Sequence, residues 1–173
     1  MKPAQTQDQL YFEAAGIVGP ALQRLARATE ANDERRRDLL QDMHVALWRS
    51  FSGFDGRCSL RTWAYRVAHN TAASHVDRER RTRRGAVGLD AAREVADLRS
   101  PARELEESDA IDRLNAWIRR LGPPDRQVIT LYLEELDAAA IAEITGLTPG
   151  AVATRISRLK TQLAKDFKET HHV

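Results

Sequence analysis

Cysteine is almost absent from this chain: Cys58 is the single one among 173 residues. An internal disulfide is therefore excluded, and one thiolate cannot build a cysteine-rich zinc site. Long apolar runs are missing as well, and no window approaches the ~18 uninterrupted apolar residues that a membrane-spanning helix needs. The opening, MKPAQTQDQLYFEAAG, has no basic end followed by an apolar stretch. No secretory leader is expected from it, and the expected compartment is the cytoplasm. There is no glycine-rich phosphate loop, no His-Glu-x-x-His pattern and no paired nucleophile and base, so an enzyme is not expected. His44, His69 and His75 lack metal-ligand spacing with Cys or acids, so neither a metal nor a cofactor is expected. His69 and His75 read as exposed helix residues.

What is present is a soluble globular composition, 42% hydrophobic and 30% charged. The net charge of +2 hides an uneven distribution. Residues 1–85 hold 15 Lys and Arg against 10 Asp and Glu, whereas residues 86–110 hold 3 against 7. Residues 111–173 return to near balance, 9 against 8. Of the 27 basic residues, 23 are Arg, whose planar fork suits phosphates and base edges. Nucleic acid is the first partner to consider, although a GC-rich genome would also raise the Arg count.

Helical periodicity dominates, and no convincing strand alternation is found. Leu10, Ala14, Ile17 and Val18 start an apolar stripe that breaks near Gly19-Pro20 and resumes at Leu22, Leu25 and Ala26. Asn32 can cap a second helix carrying Leu39, Leu40, Met43, Ala46, Leu47 and Phe51. Phe54 to Cys58 reads as a loop, and Ser59 as the cap of a long helix reaching about Arg81. At about 100° per residue, Leu60, Trp63, Ala64, Val67 and Thr71 share one side of it. Thr62, Tyr65, Arg66, His69, Asn70 and Ala73 fall opposite, as a solvent face able to stack on bases, hold phosphates and read base edges. An ordinary polar helix face would look the same. The helix ends with Arg78, Arg80, Arg81, Arg83 and Arg84, dense enough to track phosphates.

Residues 85–108 carry Gly85, Gly88, Ser100 and Pro101 among acidic residues, and read as a flexible acidic linker. Beyond it, Leu114, Trp117, Ile118 and Leu121 stripe one helix, and Val128, Ile129, Leu131 and Leu133 a second, over Asp125 to Glu135. Ile141, Ala142 and Ile144 mark a short helix, Gly146 permits a tight turn, and Thr148 caps the next helix with Pro149 at its first position. Val152, Ile156, Leu159 and Leu163 form that helix's buried stripe. Thr154, Ser157, Arg158 and Thr161 face outward, flanked by Arg155 and Lys160. Short helix, glycine turn and capped second helix are the marks of a helix-turn-helix. The fold class is therefore all-α, as two small helical domains. From these features a free-standing transcriptional regulator that binds duplex DNA through 111–165 is one open reading, and a helical hairpin without DNA would look similar.

At this point the chain resembles the extracytoplasmic-function sigma factors, the small initiation subunits of bacterial RNA polymerase. DLLQDMHVALWRSFSGFDGRCSLRTWAYRVAHNTAASHVDRERR looks like the family's second region. LGPPDRQVITLYLEELDAAAIAEITGLTPGAVATRISRLKTQL looks like its fourth. The resemblance implies a core-binding and −10 domain over 1–84, a linker over 85–108 and a −35 helix-turn-helix over 109–173. It implies core RNA polymerase, through its β′ and β subunits, and promoter DNA as partners, with an anti-sigma protein as a further candidate.

Carried over residue by residue, Asp38, Leu39, Gln41 and Asp42 match the face that docks on the β′ coiled coil. Phe54, Asp55, Arg57 and Ser59 match the loop that captures a base flipped from the −10 strand. Thr62, Trp63, Tyr65, Arg66 and Asn70 match the helix lining that strand, with Arg78, Arg80 and Arg81 contacting phosphate. Thr148, Thr154, Arg155, Arg158 and Lys160 match the −35 recognition element. The chain departs from the family at Ala153, where Lys is common, and at Ala138 and Ala140, where an aromatic and an acid are frequent. Both departures bear on −35 preference. Asp33 to Arg37 is also more basic than the acidic run usual there, which bears on docking.

Overall fold

The computed structural model describes residues 5–85 and 104–169. Five of its helices begin where a side chain accepts from an otherwise unpartnered backbone N–H. Thr6 and Gln9 form a reciprocal capping box ahead of α1, Gln7–Thr29. Asn32 accepts from the Arg35 amide at 2.9 Å and opens α2, Asp33–Ser50. After a single 3-10 turn, Phe51–Gly53, Ser59 accepts from the Thr62 amide at 3.0 Å and opens α3, Leu60–Gly85. Then come α4, Glu104–Arg120, and α5, Pro123–Leu133. Asp137 caps α6, Ala138–Thr145, and Thr148 accepts from the Ala151 amide at 3.2 Å to open α7, Pro149–Glu169.

One expectation about these elements is corrected. The break at Gly19-Pro20 does not occur, since α1 runs through Pro20. The proline costs one backbone bond on the exposed side, while Ala14, Val18, Ala21, Leu22 and Leu25 are buried opposite. Burial contributes ~1.5–3 kcal/mol per large apolar side chain, enough to carry the helix across the gap. Helix α4 starts at Glu104, within the C-terminal end of the expected linker. The rest of the expected linker, 86–103, lies outside the described residues.

Helices α1 to α3 form an antiparallel three-helix unit whose centre is Val18, Leu22, Leu39, Met43, Leu47 and Ala64. Helices α4 to α7 form a second unit around Trp117, Ile118, Ile129, Ile141, Val152 and Leu159. The units meet where α1 packs on α4 and α3 on α6. Arg24 forks onto Glu134 with both N···O distances at 2.6 Å. Arg66 donates to the Glu143 carbonyl at 2.8 Å, and Arg119 to the Arg27 carbonyl at 2.9 Å.

That junction rotates the expected faces of α3. Ala64, Ala68 and Ala72 are buried, and so are Thr62, Tyr65 and His69, which were expected to face solvent. Small Ala side chains let the helices approach closely, and the second unit covers what the three-helix unit leaves open. His75 is buried too, its Nε2 at 2.9 Å from Glu30. Burial pushes the Glu30 carboxyl up, but His75, the Asn32 amide and Arg35 outweigh it and hold it below its usual range. His69 is only 7% exposed, and burial pulls its imidazole down to about 4.

Candidate nucleic-acid interface

The turn between α6 and α7 depends on Gly146, at φ +77°, whose N–H closes the helix by donating to the Ala142 carbonyl at 2.9 Å. Val152 and Leu159 anchor α7 from inside, with Ile156 and Leu163 partly covered beside them. This anchoring turns Thr154, Ser157, Arg158 and Thr161 outward along one open surface. The Thr154 hydroxyl donates to the Gly150 carbonyl at 3.0 Å, which leaves its oxygen lone pairs to accept. Arg155 and Arg158 both reach Asp125 on α5, at 2.6 and 2.7 Å. Lys160 lies over the Tyr132 ring, 5.8 Å from its centroid, on the flank rather than beside Arg158.

In the first unit, the loop after α2 is held by an aromatic stack. The Phe54 ring meets Trp63 edge-on at 5.2 Å and Phe51 at 5.9 Å, and the Trp63 indole donates to the Ser50 hydroxyl at 2.9 Å. Gly56, at φ +74°, turns the chain back. Asp55, Arg57 and Ser59 are left exposed at the rim, with Arg57 3.1 Å from Asp55. Next to the loop's helix, α2 and α3 frame a groove of about 670 Å³ holding Asn70, Arg78 and Arg81 on one wall and Asp42 on the other. Arg78 bridges it weakly, 3.4 Å from Asp42. Further along α2 the exposed ridge continues as Asp38, Gln41 and Asp42, followed by the exposed apolar residues Val45 and Trp48. Among the described residues no group of His, Cys, Asp and Glu could hold a metal ion, and no helix is long and apolar enough to cross a membrane.

These two surfaces match two known modules in order. Residues 17–82 match the family model for Sigma-70 region 2, and residues 111–163 that for Sigma-70, region 4. The chain is 32% identical to the ECF sigma factor SigG of Mycobacterium tuberculosis over 126 residues, 70% of this chain and 31% of that longer protein. It is 28% identical to SigW of Bacillus subtilis over 181 aligned positions, 98% of this chain and 95% of SigW. The chain belongs to the extracytoplasmic-function sigma factors. Its fold also matches that of the sigma factor RpoE of Bartonella quintana, solved in complex with the anti-sigma factor NepR. There the TM-score is 0.69 at 20% identity, over 91% of this chain and 96% of that one.

The sigma factor thus has the all-α, two-domain architecture expected, and it acts with RNA polymerase on promoter DNA. Its individual residues fall into three groups. Thr148, Thr154, Arg158 and Lys160 on the second domain are exposed, as are Asp38, Gln41, Asp42, Asp55, Arg57, Ser59, Asn70, Arg78, Arg80 and Arg81 on the first. Arg155, Phe54, Trp63 and Arg66 are half-buried. Leu39, Thr62 and Tyr65 are buried. Leu39, expected on the docking face, is 0% exposed, because its spacing with Met43 and Leu47 puts it on the core side of α2. Tyr65 was expected to offer its ring to a base. Its ring is instead covered, with the Arg61 guanidinium 5.6 Å from its centroid. Asp125 was missed altogether as a site residue. An acid in the first turn of α5 reads locally as a helix-dipole partner, and nothing near it in sequence points to a residue 30 positions away.

Proposed function

We propose that this sigma factor docks on the polymerase β′ coiled coil through Asp38, Gln41 and Asp42, with Leu39 holding that ridge from inside. In this reading residues 1–84 bind core enzyme and capture the −10 strand, 109–173 read the −35 duplex, and 85–108 connect them. Thr148, Thr154, Arg155, Arg158 and Lys160 approach the −35 element, while contact with the β subunit comes from the second half. Asp55, Arg57, Ser59 and Asn70 meet the melted strand first, with Arg78, Arg80 and Arg81 along its phosphates. Phe54 and Trp63 shape the pocket, and Thr62, Tyr65 and Arg66 join once α3 parts from the second domain. The protein acts by binding, without a catalytic group or cofactor of its own, and works in the cytoplasm. An anti-sigma protein is a further partner in this reading, supported by the RpoE relative solved with one.

The observation that carries the reading is the groove in which Asn70, Arg78 and Arg81 line one wall. An amide both donates and accepts, so Asn70 can read a base edge exposed only after melting, while the two guanidiniums take the adjoining phosphates. Asn70→Ala in reconstituted holoenzyme is expected to leave closed-complex binding within about twofold. It is expected to cut open-complex formation about tenfold, the size of one lost base-edge contact. Permanganate reactivity of thymines near the start site reads the open complex. Equal loss of closed and open complexes would make Asn70 a general DNA contact and overturn the strand-capture assignment.

A further inference from the structure

The two arginines of α7 share one carboxylate. Arg155 Nη1 lies 2.6 Å from Asp125 Oδ1, and Arg158 Nη2 lies 2.7 Å from both Asp125 oxygens. Asp125 is well placed to act as a fixed post. It follows Pro123 and Pro124 in the first turn of α5, and the next turn is pinned by Val128 and Ile129, at 0% and 1% exposure. Arg158 is the outer of the two, with 57% of its side chain exposed against 31% for Arg155. Its contacts with the carboxylate run through Nη2 alone, so the Nε and Nη1 donors are not used by Asp125. Nε and Nη1 lie on different edges of the guanidinium, each sharing its edge with Nη2, so each is left to give a base-edge acceptor a single hydrogen bond.

We infer that Asp125 is a positioning residue for −35 discrimination: it holds Arg155 and Arg158 in one orientation and keeps the Arg158 donors it does not use set for a base edge. The inference rests on the −35 reading of α7 proposed above. A long side chain held in one geometry loses less conformational entropy when it binds, and a carboxylate behind it repels phosphates that come close without a matching base. Without the carboxylate, Arg158 gains freedom to swing onto any nearby phosphate. Binding then becomes less dependent on sequence, not uniformly weaker.

The test uses reconstituted holoenzyme and a promoter library randomised at the −35 element. The best selected duplex and its single-base variants are then titrated with wild-type protein and with Asp125→Asn, Asp125→Glu and Arg158→Ala. For Asp125→Asn the ratio of matched to mismatched affinity is expected to fall about tenfold at one −35 position, with mismatched duplexes bound no more weakly than by wild type. Ratios for single-base changes in the −10 element should stay as they were. Asp125→Glu, which keeps the charge, is expected to retain more discrimination than Asp125→Asn. A purely structural role in α5 would weaken every duplex equally and leave the −35 ratio unchanged, and that result overturns the inference. So does a Glu variant no better than the Asn variant. Arg158→Ala separates the two levels. If it alters no −35 ratio, the duplex reading of α7 fails. If it abolishes discrimination while Asp125→Asn leaves it intact, only the positioning role fails.

Discussion

The two halves of this sigma factor hold the arginines proposed to face DNA in opposite ways. On α7, Arg155 and Arg158 are oriented by a carboxylate of the same domain, and the face they share with Thr154 and Ser157 is open. On α3, Arg66 is engaged by the other domain, through the Glu143 carbonyl, and Tyr65 beside it is 4% exposed. On the proposed reading, duplex contact needs no rearrangement of the second domain, whereas the inner part of α3 becomes accessible only if the domains part. The difference teaches an order: the surfaces proposed for duplex contact and polymerase docking are exposed in this arrangement, and part of the surface proposed for melting is not. Any ligand that binds only the parted arrangement shifts the equilibrium by its differential affinity for it.

The comparison is broken most severely on the docking ridge. Changing both Asp38 and Asp42 to Arg places like charge where an exposed carboxylate pair stood, and holoenzyme formation is expected to fall more than about a hundredfold. Helicity by circular dichroism should be unchanged, because both residues are exposed. Undiminished association with core polymerase in a pull-down would remove the ridge from those proposed surfaces.

The next effect is acid sensitivity at the junction. His69 lines the space between the domains with Leu25 and Thr130, and its imidazole titrates near 4 rather than 6.5. The folded state therefore disfavours the proton that the unfolded chain accepts. Its stabilisation is complete above about pH 6.5 and is lost as pH falls from there towards 4, by up to about 3 kcal/mol. The depressed carboxyl of Glu30 acts the same way but lower, below its ordinary value of 4.5. Thermal melts between pH 6.5 and 4.5 isolate the histidine, and His69→Leu should flatten the wild-type decline there. An identical decline in both proteins would show that His69 is not what makes the junction acid-sensitive.

The smallest expected effect sharpens the comparison instead of breaking it. Glu134→Gln removes the Arg24 fork from the junction, yet the Arg24 side chain is 62% exposed and screened by water. The shift towards parted domains is expected to be under about 1 kcal/mol. A spin-label pair on α2 and α7 should register a modestly larger population at long distance, more so at low salt. No change at any ionic strength would leave the apolar packing of α1 on α4 and α3 on α6, with the Arg66 and Arg119 bonds to backbone carbonyls, as the ties that hold the domains.

Much of this architecture was legible from local signals. Asn32, Ser59, Thr148 and Gly146 act where they stand, as caps and as a turn, because a cap needs only the next three amides and a left-handed residue needs only the absence of a side chain. The outward face of α7 followed from its own apolar stripe. The faces of α3 were misread because Ala64, Ala68 and Ala72 weigh little in an apolar pattern, and because Tyr65 and His69 are covered by helices far along the chain. Leu39 was placed on the docking face by resemblance, although its three-to-four spacing already put it inside.

The sequence by itself determined the all-α class, the caps at Asn32, Ser59 and Thr148, the helix-turn-helix and the two-module order, since each rests on residues within a few positions of one another. Only the tertiary structure decided that Asp125 meets Arg155 and Arg158, that Arg24 meets Glu134, and that Tyr65 and His69 lie covered. Those contacts join residues 30 to 110 positions apart. No local periodicity encodes such a pairing, because it depends on how whole helices pack and not on the preference of any one segment.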